Sequence, residues 1–380
     1  MYHLSKLKII EGLKLLIAFI LFFFCISPSL LDLSGNMYDS SYFNINAEYS
    51  IKIIVLIANS IFAFILFFIV NDQLNKLASE KDFWHMNDWV ISLPFKIFLS
   101  IFALYFLINN VSNFDIERAL IKDSFGIKET IIQSILFSLL SFWMLVERNY
   151  LLFFGLLFVV LTLAVSLFER EIILYALIPV ALRIRQFVSN KVLLVGILIG
   201  LSGMIAFKYV VLDFKADSTS SVELMKEREV FTELSKDASS KYGIEIEYFK
   251  GSSIEYNNLT YLGPYQFFRI FDGSRQTNGQ IATKFYTNDY MGTGFSGVLE
   301  SWLNFGLIGV FIAPFLISLL IFWTVRIGGP IILFTTVIFF TKLLRGEFWV
   351  AYTLYLLFPF IFILLGNFLS SKKFIFFSRV

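Results

Sequence analysis

Charged side chains are scarce in this chain, and where they interrupt its apolar runs they fall into three groups. The first is Glu169-Arg170-Glu171, set between two apolar stretches that leave no room for a loop. The second is the turn Lys342-Leu343-Leu344-Arg345-Gly346-Glu347, in which Lys342 and Arg345 share a helix face at i,i+3 spacing. The third lies in the stretch from Gly292 to Gly306, where Glu300 and Asn304 stand four apart on one face. Ionisable groups near the membrane interior are costly, so such cations call for a carboxylate or an anionic ligand. Two more guanidinium groups, Arg269 and Arg275, precede the third group in a hydrophilic segment.

Each group also has a purely structural reading. Glu169 with Arg170, and Arg345 with Glu347, can seal turns as local ion pairs. Glu300 and Asn304 can hydrogen-bond between helices, as polar residues do in lipid, and Gly306 and Gly309 allow close helix contact. Arg269 and Arg275 can be solvated loop cations.

The elements that must hold these residues follow from composition. Hydrophobic residues make up 57% of 380 positions and charged residues 16%, with a mean hydropathy of +0.75, well below the quarter charged of an ordinary soluble domain. The net charge of +2 gives no reason to expect a nucleic-acid partner. Apolar stretches fall near 13–33, 50–70, 90–108, 129–146, 150–168, 171–187, 192–212, 303–323, 329–344 and 349–368, each about the 20 residues that cross a bilayer as a helix. They lack the alternation of barrel strands, and helices satisfy their own backbone in hydrocarbon. The expected fold is therefore all-α: a polytopic transmembrane bundle of about ten helices.

The basic residues orient it. About 13 lie in one set of short loops and tails and about 7 in the alternate set, so both termini are expected in the cytoplasm. Arg170, Lys342 and Arg345 then sit at outer helix ends, against that rule. Helices over 1–212, a large loop over 213–296 and helices over 297–380 make up the expected organisation, with the loop outside. The loop reads as partly helical: Ser220 and Glu223 form a capping box ahead of an amphipathic stretch that stops at Gly243, and Pro264 to Gly273 frames a second short helix. The N-terminal run is too long for a signal peptide and lacks a cleavage site, so it reads as a retained helix. The single cysteine, Cys25, excludes an internal disulfide and reads as a small core residue. His3 and His85 both fall on the expected inner face.

The stretch Gly294-Phe295-Ser296-Gly297-Val298-Leu299-Glu300-Ser301-Trp302-Leu303-Asn304-Phe305-Gly306-Leu307-Ile308-Gly309 resembles the segment that follows the large outer loop in bacterial O-antigen polymerases, the Wzy family. A Gly-rich turn, a Glu, Asn-Phe-Gly and a further Gly carry the resemblance, and the late position of the loop is similar over most of the chain. The resemblance implies a glycosyltransferase in the bacterial inner membrane. It would transfer a growing glycan from a polyprenyl-pyrophosphate carrier onto another lipid-linked oligosaccharide repeat unit, in lipopolysaccharide or other polysaccharide synthesis. A pyrophosphate leaving group needs arginines placed for bidentate contact, and an acceptor hydroxyl gains from a carboxylate that takes its proton.

On that resemblance Arg170 and Arg345, with Arg269 or Arg275, are expected at the pyrophosphate. Lys342 and Asn304 are expected near the substrate, and Glu300 or Glu171 as base. No cofactor is implied. No metal is expected either, because the first outer loop, about 34–49, has no Asp-x-Asp or Glu-x-Asp pair. The bilayer itself is a partner, and the family leaves room for a chain-length regulator protein. O-antigen ligases share the plan but are associated with an outer-loop histidine, which 213–296 lacks. A flippase of the lipid-linked unit is the main rival outside enzymes, but no doubled halves or inverted pair of broken helices is visible. A scaffold for other glycan enzymes is a further rival.

Overall fold

The computed structural model describes residues 5–34, 48–80, 82–111, 127–167, 170–196, 245–246, 248–249, 296–344 and 348–377. Among these residues all regular structure is helical. The helices are α1 (Lys6–Leu33), α2 (Tyr49–Ser79), α3 (Leu93–Val111), α4 (Ile127–Val146), α5 (Tyr150–Leu167), α6 (Arg170–Ile184), α7 (Gly297–Gly328) and α8 (Pro330–Leu343). The last, α9, runs through three consecutive stretches, Phe348–Tyr352, Thr353–Leu357 and Phe358–Phe377. Residues 190–196 are also helical. The loop helices expected around 220–243 and 264–272 lie outside the described residues, as do His3 and the part of the 192–212 span beyond 196.

Five stretches, in α1, α2, α4, α7 and α9, are long and apolar enough to cross a membrane, and a sixth qualifies if the bent pair Asp82–Ile91 and Leu93–Asn109 counts as one. Shorter apolar helices occupy α5, α6 and α8. Large apolar side chains form an exposed outer belt, Phe64 and Phe68 on α2, Leu151 and Phe158 on α5, Ile308 and Phe315 on α7. In water such a belt would be a liability, and in hydrocarbon it is the face that meets solvent.

Prolines shape two of the long helices in the same way. A π-helical turn at Phe22–Ile26 precedes Pro28, and another at Thr353–Leu357 precedes Pro359. Proline offers no N–H to the carbonyl four residues back and its ring crowds that carbonyl, so one wider turn upstream absorbs the conflict without ending the helix. Cys25 is buried within the first of these turns, the core role its sequence position suggested.

The centre of the bundle is α8. Every residue from Pro330 to Leu343 except Lys342 is buried, against α1, α4, α6, α7 and α9. Its hydroxyls turn back on their own helix, Thr335 to the Ile332 carbonyl, Thr336 to Leu333 and Thr341 to Val337, so these three groups are satisfied within it. Its 14 residues span only about 21 Å, short of the roughly 30 Å of a hydrocarbon core. Other parts of the chain meet both of its ends, Asn87 at Gly329 and Ile331 and Gly297 at Leu343.

Candidate functional site at the Lys342 end of the central helix

The end of α8 that carries Lys342 is reached by the start of α7. Ser296 caps that start, its hydroxyl accepting from the backbone N–H groups of Val298 at 3.1 Å and Leu299 at 3.3 Å. Gly297 lies so close to α8 that a Cβ there would stand 2.9 Å from the Leu343 carbonyl. One turn on, the Glu300 carboxylate accepts the backbone N–H of Phe348 through Oε2 at 2.7 Å. Phe348 opens α9, so an anionic group sits at the positive end of that helix and fills one of its unpaired donors.

The second and third groups of the sequence thus meet. Leu343 lies against Gly297 and Phe348 against Glu300, and the Lys342 ammonium stands 5.0 Å from the centroid of the Tyr355 ring on α9. Tyr175 of α6 is within electrostatic reach of both Lys342 and Tyr355, and lies beside the Ser134 and Ser138 hydroxyls of α4. Arg170 and Glu171 begin α6 about one turn before Tyr175, so the backbone of the first group starts at this same end. The side chains of Arg170 and Glu171, and the whole of Arg345, Glu347, Arg269 and Arg275, lie outside the described residues.

Glu300 is 1% exposed, and Asn304, also buried, donates its amide to the Glu300 carbonyl at 2.7 Å. Asn304 therefore braces its own helix. Glu300 links two helices, which is the polar bonding across helices that the sequence allowed. The two glycines of the motif have separate tasks. Gly306 takes φ 60° and ψ −148° and breaks α7 into a short first part and a long second one, a conformation closed to residues with a Cβ at ordinary cost. The bend brings Gly309 onto the Ser301 carbonyl, where a Cβ would overlap the oxygen. The close contact expected of Gly309 is real, but it lies within the chain's own bend and not between two separate helices.

Sequence reasoning missed one pair at this end. Glu245, from the hydrophilic segment, is buried and accepts a hydrogen bond from Asn59 Nδ2 of α2 at 2.8 Å. The signal was present in Asn59, a buried amide inside the apolar stretch of α2 that needs a polar partner at that depth. Burial also raises the Tyr248 phenol above its ordinary range, so it stays a neutral hydrogen-bonding group at neutral pH. Comparison with family models, curated proteins and solved structures yields no match. Among the described residues no cluster of three His, Cys, Asp or Glu side chains is placed to hold a metal ion.

Proposed function

We propose that this chain polymerises polyprenyl-pyrophosphate-linked oligosaccharide repeat units at the outer face of a bacterial inner membrane. In this reading the chain crosses the bilayer about ten times, with both termini cytoplasmic and 213–296 outside. The observation that supports it is the bond between Glu300 and Phe348, which, with Gly297 against Leu343, brings the described part of the motif next to the end of α8 that carries Lys342. A carboxylate-bearing helix start next to a turn rich in cations is what an anionic lipid carrier and a hydroxyl acceptor require.

The reaction follows from the residues. An acceptor hydroxyl attacks the anomeric carbon of the carrier-linked sugar, the carbon–oxygen bond to pyrophosphate breaks, and its electron pair leaves with the pyrophosphate. Arg170 and Arg345, with Arg269 or Arg275 from the loop and Lys342 beside the turn, stabilise that charge as it develops. The proton of the acceptor passes to Glu171 or to Glu300. Glu300 has a further task, holding the start of α9 at Phe348, and Asn304 stiffens the helix that carries Glu300.

Deletion followed by analysis of surface polysaccharide tests the reading. Single capped repeat units in place of long chains are expected, whereas uncapped carrier-linked polymer would indicate a ligase and cytoplasm-facing precursor a flippase. Arg170→Ala and Arg345→Ala should each abolish long chains while the protein still accumulates in the membrane. Lysine at either position should rescue poorly, since a point charge loses the planar fork. Full activity of both alanine variants would remove the proposal.

A further inference from the structure

Lys342 does not follow the habit of a lysine at the end of an apolar helix, whose ammonium ordinarily extends past that end to water. Its ammonium stands 5.0 Å from the centroid of the Tyr355 ring. Tyr355 lies seven residues after Phe348, where α9 starts, about 10 Å along the helix. The lysine side chain is therefore folded back along the bundle, in the direction that side chains lean on a helix. Tyr175 of α6 is within electrostatic reach of both groups, so three helices meet around this one cation.

The ring itself is fixed by its surroundings. Tyr355 occupies the middle of the π-helical turn Thr353–Leu357. A turn of that kind takes up one extra residue and so rotates the side chains within and beyond it, by up to about 100°. Just before the turn, Tyr352 stacks on Phe348 with centroids 5.7 Å apart, and its hydroxyl lies 3.1 Å from that of Thr324 on α7. Phe339 of α8 meets both Phe348 and Tyr352 edge to face. Packing thus sets the base on which Tyr355 stands. The face of the ring attracts an ammonium without cancelling its charge. A flexible lysine whose cation is already placed also loses less rotamer freedom when an anion binds. An ionisable group kept among apolar helices is costly, and a membrane protein keeps one there for an ion or a ligand.

We propose that Tyr355 is a positioning residue for Lys342: its ring holds the ammonium inside the bundle, where the pyrophosphate of the lipid carrier binds. The identity of that anion rests on the polymerase reading, and the contact deepens it by seating the anion among α6, α8 and α9. Two substitutions separate the ring face from the other features of the side chain. Tyr355→Phe keeps the face and loses the hydroxyl, whereas Tyr355→Leu keeps apolar bulk and loses the face.

The test is a calorimetric titration of the purified full-length chain in detergent with farnesyl pyrophosphate, a short lipid pyrophosphate. Wild type should saturate, and Lys342→Gln should bind about tenfold or more weakly. Tyr355→Leu should lose about threefold to thirtyfold, Tyr355→Phe should stay close to wild type, and Lys342→Gln combined with Tyr355→Leu should be no weaker than Lys342→Gln alone. Should Tyr355→Leu fail to accumulate, Tyr355→Met serves in its place with the same expectation. Wild-type affinity in Lys342→Gln or in Tyr355→Leu overturns the proposal, and so does a Tyr355→Phe chain as weak as Tyr355→Leu. Losses that multiply in the double variant overturn it too, because the ring would then act apart from the lysine. No saturable binding in wild type, or equal binding of farnesol, also overturns it. Long chains that persist after deletion refute the polymerase reading, whereas chains lost on deletion together with wild-type binding by Tyr355→Leu refute the positioning role alone.

Discussion

The two ends of the central helix α8 are finished in different ways. At its Pro330 end a single side chain closes the structure: Asn87 donates to the Gly328 carbonyl at 3.0 Å and to Asn367 at 3.2 Å, and accepts the Ile331 N–H at 3.0 Å. Trp89 donates to the same Asn367 oxygen at 2.7 Å. Around that end the charges pair with one another, Lys96 with Glu147, Arg326 with Glu80 and Arg185 with Glu11. At the Lys342 end the contacts run through helix starts and rings: Glu300 holds Phe348, Lys342 faces the Tyr355 ring, and Asn59 donates to Glu245. The difference is one of means and not of completeness, since Lys52 and Asp32 pair at 2.8 Å on the Lys342 side and Asn367 Nδ2 lacks a partner among the described residues at the Pro330 end: ion pairs and one asparagine tie the first end, contacts at two helix starts the second.

The largest effect on stability is therefore expected at the Pro330 end. Glu147 accepts from Lys96 Nζ and Trp143 Nε1, each at 2.7 Å, and from the backbone N–H groups of Arg148 and Asn149. Burial pushes its carboxyl up, but the Lys96 ammonium, the Asn149 N–H and the Trp143 indole outweigh it and hold the group at about 2, below the ordinary 4.5. A carboxylate held low in the folded state stabilises above its unfolded value, so this contribution is complete above about pH 4.5 and fades as pH falls toward 2. Glu147→Ala strands the half-buried Lys96 and should cost about 3 kcal/mol. Unfolding midpoints in detergent should separate variant from wild type at neutral pH and converge in that acid window. A variant with the wild-type midpoint at pH 7 would erase the contrast between the ends.

A smaller effect is expected from the bend in α7. Gly309→Ala forces a methyl group into the Ser301 carbonyl and should lower stability by about 1–3 kcal/mol. Gly155→Ala is the control, since nothing lies within 4 Å of a Cβ there. It should be neutral or gain up to about 1 kcal/mol from helix propensity. Equal midpoints for the two variants would show that the bend stores no constraint.

Much of the frame could be read from the chain and the site only in part. Helices stand where the apolar stretches near 13–33, 50–70, 129–146 and 303–323 predicted them, because hydrocarbon leaves the backbone no alternative. The burial of α8 was less legible. An all-apolar stretch looks the same whether lipid or protein surrounds it, and only packing separates Phe339 at the core from Phe315 on the belt. Glu300 and Lys342 were singled out by their cost at membrane depth, yet the bond from Phe348 to Glu300 joins residues 48 apart, which no local pattern encodes. Lys96 pairs with Glu147, a partner 51 residues on, which is equally invisible to local spacing. Glu245 was missed because a carboxylate in a polar segment carries no local sign of burial.

The smallest expected loss of stability separates the two tasks open to Glu300. Glu300→Gln keeps an oxygen for the Phe348 N–H and loses only the charge, so the midpoint should fall by about 1 kcal/mol or less. The carboxylate is 1% exposed and already accepts from the backbone, which favours a bracing role, and the proton of the acceptor hydroxyl is then left to Glu171. Long polysaccharide chains should accordingly survive Glu300→Gln and disappear with Glu171→Gln at equal protein levels. The reverse pattern, chains lost in a stable Glu300→Gln protein and kept in Glu171→Gln, would make the buried carboxylate the proton acceptor.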